Sequence, residues 1–142
     1  MKKLFLIFLL FITSSCKITI KEKPNFSDFD YRDFEGVHLN YFELFSVQKP
    51  HYFAYIYSKW CGHCQNIKYK VFEFSYYHFE EFYFIEYSSV IPIVEDVSNT
   101  IGVDKIEDVK ILGTPTMLMI ENGTLAINIA GENKILNFMN EI

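Results

Sequence analysis

Two cysteines, Cys61 and Cys64, stand three positions apart near the middle of the 142-residue chain. Residues three apart on a helix lie on one face, with their β-carbons close together, and a disulfide needs its β-carbons about 3.8 Å apart. The pair can therefore close a small disulfide ring and open it again with little backbone motion. Reversible oxidation of two thiols is the chemistry that this spacing favours.

Cys61 is expected to be the attacking sulfur of the pair. If a helix begins at this residue, its sulfur lies at the positive end of the helix dipole, beside backbone N–H groups without intrahelical partners. Both features favour the thiolate, which is the nucleophilic form of cysteine. Cys64 lies one turn further along, where we expect it to be more buried and less ionised. It is therefore assigned to the resolving step.

The elements on either side of the pair must hold it in place. Residues 52–57 form an apolar run whose composition predicts a strand. After Cys64 the spacing is helical, with Ile67, Val71 and Phe74 on one stripe that we expect to be buried. A strand that ends at C-x-x-C and continues into a helix is typical of a redox site.

Other elements are predicted less sharply. The β-rich composition of residues 82–87 predicts a second strand, and residues 132–142 predict a final helix. Residues 88–112 are the least regular, with short helical turns expected after Asp96 or Ser98 and near residue 106. A short helix is also expected within residues 37–48, with four apolar side chains directed inward: Leu39, Phe42, Leu44 and Phe45.

The motif Trp-Cys-Gly-His-Cys at residues 60–64 resembles the active site of the protein disulfide isomerase branch of the thioredoxin superfamily. Gly-Thr-Pro-Thr at residues 113–116, followed by an apolar strand and an Asn122-Gly123 turn, is similar to the proline loop of that superfamily. The resemblance covers roughly residues 40–142. It implies an α/β thioredoxin fold, with a central mixed β-sheet flanked by helices and a cis-proline loop facing the C-x-x-C. It also implies thiol–disulfide exchange without a dissociable cofactor.

The resemblance also assigns roles to the neighbouring residues. His63, after Gly62, would stabilise the thiolate and so make the disulfide a better oxidant; the alternative is a solvent-exposed loop imidazole. Trp60 would shield the site and offer substrate an apolar surface, although packing at the strand end is also possible. Pro115 would pack against the disulfide, and the backbone of Thr114 would bind an extended substrate segment.

Tyr55 departs from the pattern of the superfamily. Relatives usually carry a buried carboxylate on the strand, six residues before the first cysteine, and this acid takes the proton of the resolving cysteine. Tyrosine ordinarily has a pKa of about 10, so it is a poor base at neutral pH. Deprotonation of Cys64 is then expected to rely on water, His63 or another group.

Composition limits the remaining function classes. Half of the residues are hydrophobic, which predicts one packed domain rather than disorder. The net charge of −5 argues against a nucleic-acid partner, and we expect a monomer. A zinc site is not expected, because C-x-x-C needs two further ligands and the histidines outside the motif are scattered: His38, His51 and His78.

The N-terminus predicts export. Residues 1–15 combine two lysines, an apolar run and small residues, as in a signal peptide, and the run is short for a membrane span. Cys16 follows directly, which resembles a bacterial lipoprotein cleavage site where the cysteine is lipidated, although Thr13 departs from the usual leucine. Ordinary cleavage and secretion is the alternative. Residues 16–36 are predicted to be a tether or linker, and residues 37–142 the thioredoxin-like domain; the acidic and aromatic stretch 28–34 stays open as an extra N-terminal element that packs on the domain.

These features predict an exported thiol–disulfide oxidoreductase, anchored to the membrane through lipid on Cys16. Its partners would be cysteine-containing exported proteins or another redox protein. The redox direction stays open, with the Gly-His dipeptide favouring an oxidase or isomerase over a reductase. Two other classes of function remain: a redox-inert adaptor with the same fold, and a surface interaction lipoprotein whose dithiol has no role.

Overall fold

The computed structural model describes residues 23–78 and 81–142. Four strands form one mixed sheet, in the order β2-β1-β3-β4. β1 pairs in parallel with β2, whereas β3 is antiparallel to both of its neighbours. The bounds of the strands are His51–Tyr57 for β1, Phe82–Glu86 for β2, Thr116–Glu121 for β3 and Thr124–Ala130 for β4. The predicted strands at residues 52–57 and 82–87 are thus confirmed, apart from one residue at an end of each.

Two α-helices accompany the sheet, α1 over Gly62–Tyr77 and α2 over Glu132–Glu141. The predicted stripe of α1 is buried at Ile67, Val71 and Phe74. β3 and β4 are joined by the Asn122–Gly123 turn, in which both residues have positive φ. This backbone matches the twist of the flanking strands and is the reason that Asn-Gly predicts a hairpin.

The sheet separates two hydrophobic cores because successive side chains of a strand point to opposite faces. On one face, Phe53, Tyr55 and Tyr57 of β1 pack with α1 and α2. On the other face, alternate β1 residues such as Ala54 and Ile56 pack under short 3-10 turns and loops. The predicted mixed sheet with flanking helices is confirmed, and the helices lie over the face that carries Tyr55.

The segment within residues 37–48 differs from its prediction. It forms a 3-10 helix over Tyr41–Ser46, which buries Tyr41 and Leu44, while Phe42 is 61% exposed. The inward direction predicted for Phe42 is therefore wrong. A 3-10 helix has three residues per turn, so positions three apart share a face and the intervening position points away. Leu39 and Phe45 are partly buried against the core, as predicted.

Residues 88–112 hold two short 3-10 turns, Ser98–Thr100 and Ile106–Asp108. The Asp96 carboxylate accepts the backbone N–H of Ser98 at 2.8 Å, but the N-cap of the first turn is Val97, so the cap predicted at Asp96 or Ser98 is wrong. The segment is rich in β-branched residues and contains Pro92, both of which disfavour a longer helix. Its buried side chains, Ile91 among them, cover the second core.

The N-terminal segment is more than a tether. Residues 26–34 form 3-10 turns against the helical face of the sheet, and Phe26 and Tyr31 are buried in the first core. Within the predicted tether at residues 16–36, this stretch packs on the domain, which is the alternative left open for residues 28–34, because its aromatic side chains join the core instead of facing water. Lys23 also pairs with Glu73 of α1. The predicted signal peptide and Cys16 lie outside the described residues.

Candidate active site

The paired cysteines lie where β1 turns into α1. Cys61 is the N-cap of α1, with extended backbone angles, and its Sγ accepts the backbone N–H of Cys64 at 3.1 Å. A side chain in this position satisfies one of the N–H groups that the first helical turn leaves without partners. Cys61 thus lies at the helix start that the sequence predicts, at the positive end of the dipole.

The two thiols differ in their access to solvent. Both are free cysteines, Cys61 partly exposed and Cys64 fully buried. Burial, followed by the hydrogen bond with Cys61, raises the pKa of the Cys64 thiol, whereas the Ser58 backbone and the Thr114 side chain act in the opposite direction. Removing a charged group from water disfavours the charged form. Cys64 therefore holds its proton more firmly than an ordinary thiol, which suits a residue that reacts second.

The proline loop contacts the sulfur of Cys61. The Thr114–Pro115 peptide bond is cis, and the Cys61 thiol donates to the Thr114 carbonyl over 3.2 Å. Thr116 begins β3 directly after this loop and pairs with Ile56 of β1. The two sequence motifs, 53 positions apart from Cys61 to Thr114, are thus held together by neighbouring strands.

His63 has a partner that the sequence did not indicate. Its Nδ1 lies 2.9 Å from Oε2 of Glu132, the first residue of α2, and the Asn66 amide donates to the same oxygen at 3.0 Å. The Asn66 hydrogen bond and then that of His63 lower the pKa of the Glu132 carboxyl. The His63 side chain remains 71% exposed, so the ring is in contact with solvent and also hydrogen-bonded to Glu132 of α2.

Trp60 and Gly62 flank the first cysteine. Trp60 is 95% exposed, so its indole presents apolar surface to solvent and does not pack at the strand end. Gly62 is the first residue of α1 and has open space where a β-carbon would stand. An exposed aromatic beside a half-buried sulfur offers a contact for an incoming polypeptide.

Tyr55 lies six residues before Cys61, at the position where the superfamily that the sequence resembles usually carries a buried carboxylate. Its ring is fully buried, and its hydroxyl has no hydrogen-bond partner among the described residues. Tyr31, from the N-terminal segment, lies beside it with ring centroids 6.5 Å apart, and the Tyr31 hydroxyl reaches the Cys64 carbonyl oxygen at 3.5 Å. The sequence did not predict Tyr31, because its segment has no clear periodicity.

The described parts of the chain hold neither a grouped set of metal-binding side chains nor a membrane-spanning helix. Over residues 23–78 and 81–142, no three His, Cys, Asp or Glu side chains are grouped so that they could hold a metal ion. Within the same ranges, none of the helices combines the length and apolarity needed to cross a membrane. The Cys61 thiolate can attack an outside disulfide, which forms a mixed disulfide and releases one thiolate; attack by Cys64 on Cys61 then forms the internal disulfide and releases the second thiolate.

The sequence model of the family described as Thioredoxin matches residues 37–142. The chain belongs to the thioredoxin family. Members of this family are usually thiol–disulfide oxidoreductases. The match includes the cysteine pair and the proline loop but begins after Tyr31, so the segment that carries this tyrosine lies outside it. A comparison with proteins of curated function found no match.

The chain is similar to several solved thioredoxins at low sequence identity. Thioredoxin f2 of Chlamydomonas reinhardtii is 15% identical, with 74% of this chain and 94% of that chain covered and a TM-score of 0.46. Mitochondrial thioredoxin 3 of Saccharomyces cerevisiae is 13% identical, with coverages of 72% and 91% and a TM-score of 0.44. Plasmodium falciparum thioredoxin is 18% identical, with coverages of 71% and 89% and a TM-score of 0.43.

Proposed function

We propose that this protein is an exported thiol–disulfide oxidoreductase that exchanges disulfides with cysteine-containing extracytoplasmic proteins. The observation that carries the proposal is the position of the Cys61 sulfur. It lies partly exposed at the start of α1, in contact with the backbone N–H of Cys64 and with the Thr114 carbonyl. A second, buried thiol one turn away can then release the substrate.

The reaction proceeds in two exchanges. The Cys61 thiolate attacks one sulfur of a substrate disulfide, so that a mixed disulfide forms and the other substrate sulfur leaves as a thiolate. Cys64 then loses its proton and attacks the Cys61 sulfur, which forms the Cys61–Cys64 disulfide and releases the second substrate thiolate. Two electrons have passed to the substrate, and both leaving thiolates take protons from water. Run backwards, the same steps oxidise a client dithiol.

Substrate binding follows from the surface around the sulfur. Trp60 provides an exposed apolar contact on one side of Cys61, and the backbone of Thr114 on the other side can pair with an extended polypeptide. Both contacts suit an unfolded or flexible client segment that carries a cysteine. No dissociable cofactor is required, because electrons pass between sulfur atoms and come from or go to another redox protein.

The direction of exchange is proposed to be oxidation or isomerisation. A hydrogen-bond donor or positive charge at His63 stabilises the reduced site relative to the disulfide, which makes the disulfide a stronger oxidant. Glu132 binds the same ring at 2.9 Å and offsets part of this effect. The protein would act as a monomer outside the cytoplasm, held to the membrane by lipid on Cys16.

The equilibrium with glutathione tests the function and its direction together. We expect the Cys61/Cys64 couple to equilibrate with a reduction potential near −180 mV or above, whereas a value near −270 mV would make the protein a reductase. Catalysed reduction of insulin should be lost in Cys61→Ser. The Cys64→Ser variant should instead accumulate the mixed disulfide.

The same assays can contradict the proposal. If insulin reduction by the intact protein stays at the uncatalysed rate, the enzyme assignment is wrong. A biological phenotype that survives Cys61→Ser would point to a redox-inert adaptor. Release of the protein from membranes in Cys16→Ser, with activity retained, is the expected result for a lipid anchor that only localises the enzyme.

A further inference from the structure

The outer face of α1 exposes several tyrosines in the half of the helix that is far from the cysteine pair. Tyr69, Tyr76 and Tyr77 are 44%, 37% and 61% exposed. Residues three, four or seven apart share a side of a helix, so these rings lie together with Lys70 and Glu73, away from the buried stripe. These five residues form the outer face of α1. Single exposed aromatic residues are ordinary, whereas a group of them marks an interaction site.

Positive charge surrounds these tyrosines although the protein as a whole is acidic. The Lys68 ammonium lies 5.1 Å from the centre of the Tyr69 ring, and the exposed Lys70 follows directly. Lys23 joins them from the N-terminal segment. Glu73 is the acidic member of the outer face, and both Lys23 and Lys70 pair with it. The lysines thus outnumber the carboxylate on this surface, whereas the whole chain carries a net charge of −5.

The N-terminal segment enters the domain at this same face. Lys23 is bound to α1 by its ion pair, and the Phe26 ring meets the Tyr76 ring edge-on with centroids 5.6 Å apart. Six residues separate Lys23 from Cys16, and a chain of that length spans at most about 25 Å. Lipid on Cys16 would therefore keep the outer face of α1 close to the membrane surface.

The cysteine pair lies at the opposite end of α1. Glu73 stands twelve residues after Cys61, which is about 18 Å along the helix axis at about 1.5 Å per residue. Trp60, the exposed ring beside the attacking sulfur, lies at the same end as Cys61. A membrane that contacts the outer face of α1 therefore does not need to cover Cys61, and the site stays open to clients.

We propose that the outer face of α1, with Lys23 and Lys68 beside it, binds the anionic lipid headgroups of the membrane that carries the anchor. Tyrosine rings favour the membrane interface because they have an apolar body and a polar end, and lysines attract anionic lipid. A lipid chain and a basic surface reinforce each other in membrane attachment. The inference rests on the proposed lipid anchor at Cys16 and assigns an orientation to the anchored enzyme.

The test compares side-chain accessibility at the two ends of α1. The full chain with lipid on Cys16 is placed in vesicles of phosphatidylcholine and phosphatidylglycerol, exposed briefly to hydroxyl radicals and analysed by mass spectrometry of its peptides. The same protein in a nonionic detergent is the reference. The excess lysine charge near an anionic surface shifts the balance of orientations by on the order of tenfold, so oxidation of Tyr77 should fall by a similar factor on vesicles. Oxidation of Trp60 should not change.

Charge reversal provides the matched variants. Lys68→Glu combined with Lys70→Glu should return Tyr77 oxidation to the detergent level. Lys134→Glu changes an exposed lysine near His63, at the start of α2, and should leave Tyr77 protected.

Two results would overturn the inference alone: Tyr77 unprotected in lipid-modified protein on vesicles, or protection of Trp60 in its place. An intact mass that shows no lipid on Cys16 would overturn the anchor and this inference together, so the two failures are distinguishable.

Discussion

Replacing Tyr31 with alanine should lower the free energy of unfolding by about 4 kcal/mol, the usual cost of removing a large buried aromatic ring. Tyr31 is fully buried and packs against four other rings, with the closest stack at 3.6 Å on Tyr57. Alanine would leave a cavity between α1 and the sheet, and the rigid β1 backbone limits its collapse. Domains of this size are stable by only about 5–15 kcal/mol, so the loss is a large part of the total.

Urea denaturation followed by circular dichroism measures this change. With a slope of about 2 kcal/mol per molar urea, the midpoint should fall by roughly 2 M. Tyr31→Phe keeps the ring and loses only the long contact with the Cys64 carbonyl, so its cost should stay below about 1 kcal/mol. Tyr77→Ala is the exposed control, since Tyr77 is 61% exposed, and it should change stability by less than about 0.5 kcal/mol.

The result that would refute this reasoning is a Tyr31→Ala protein within about 1 kcal/mol of wild type. The N-terminal segment would then lie on the surface of the domain without contributing to its core. If alanine prevents folding altogether, Tyr31→Leu provides the measurable case. Leucine retains most of the apolar contact, so its cost should fall between those of the phenylalanine and alanine variants.

Two further predictions concern ionisation. Because hydrogen bonds from Asn66 and then from His63 lower the pKa of the Glu132 carboxyl, Asn66→Ala and His63→Ala should each raise that pKa, as measured by carbon NMR of the labelled carboxyl; an unchanged pKa in both variants would contradict the assignment. The Cys64 thiol has a raised pKa in the folded state, so the stability that it contributes is complete below the unfolded value of about 8.5 and is lost as pH rises towards the folded value. Between about pH 8.5 and 9.5, wild-type stability in reducing buffer should fall with pH and that of Cys64→Ala should fall less, since ionisation of unfolded tyrosines near their ordinary pKa of about 10 adds the same slope to both proteins; equal slopes would contradict this.

The parts of the fold that depend on local sequence could be predicted. β1 follows from a continuous apolar run, the β3–β4 hairpin from Asn122–Gly123, and the start of α1 from the C-x-x-C spacing. Each of these signals lies within a few residues of the structure that it determines. The Cys61 contact with Thr114 could be expected only because a known family brings the two motifs together.

The parts that depend on contacts between distant segments could not be predicted. Glu132 approaches His63 from 69 positions away, and nothing in the residues around either one indicates the other. Residues 26–34 alternate acidic and aromatic side chains without a helical or strand period, so the sequence leaves open whether they form a tether or pack on the domain. Tyr31 becomes a core residue only because β1 and α1 leave a space that its ring fills.

The tyrosine at position 55 and the buried N-terminal segment depend on each other. A carboxylate at this position would lie among Tyr31, Tyr57 and Phe84, where removal from water would drive its pKa upward and destabilise the folded state while it was charged. A buried acid that serves as a base needs water close by to receive and return the proton. Because Tyr31 packs beside this position, a neutral aromatic side chain fits the core there better than a carboxylate. The aromatic N-terminal segment thus favours tyrosine over a buried acid at position 55.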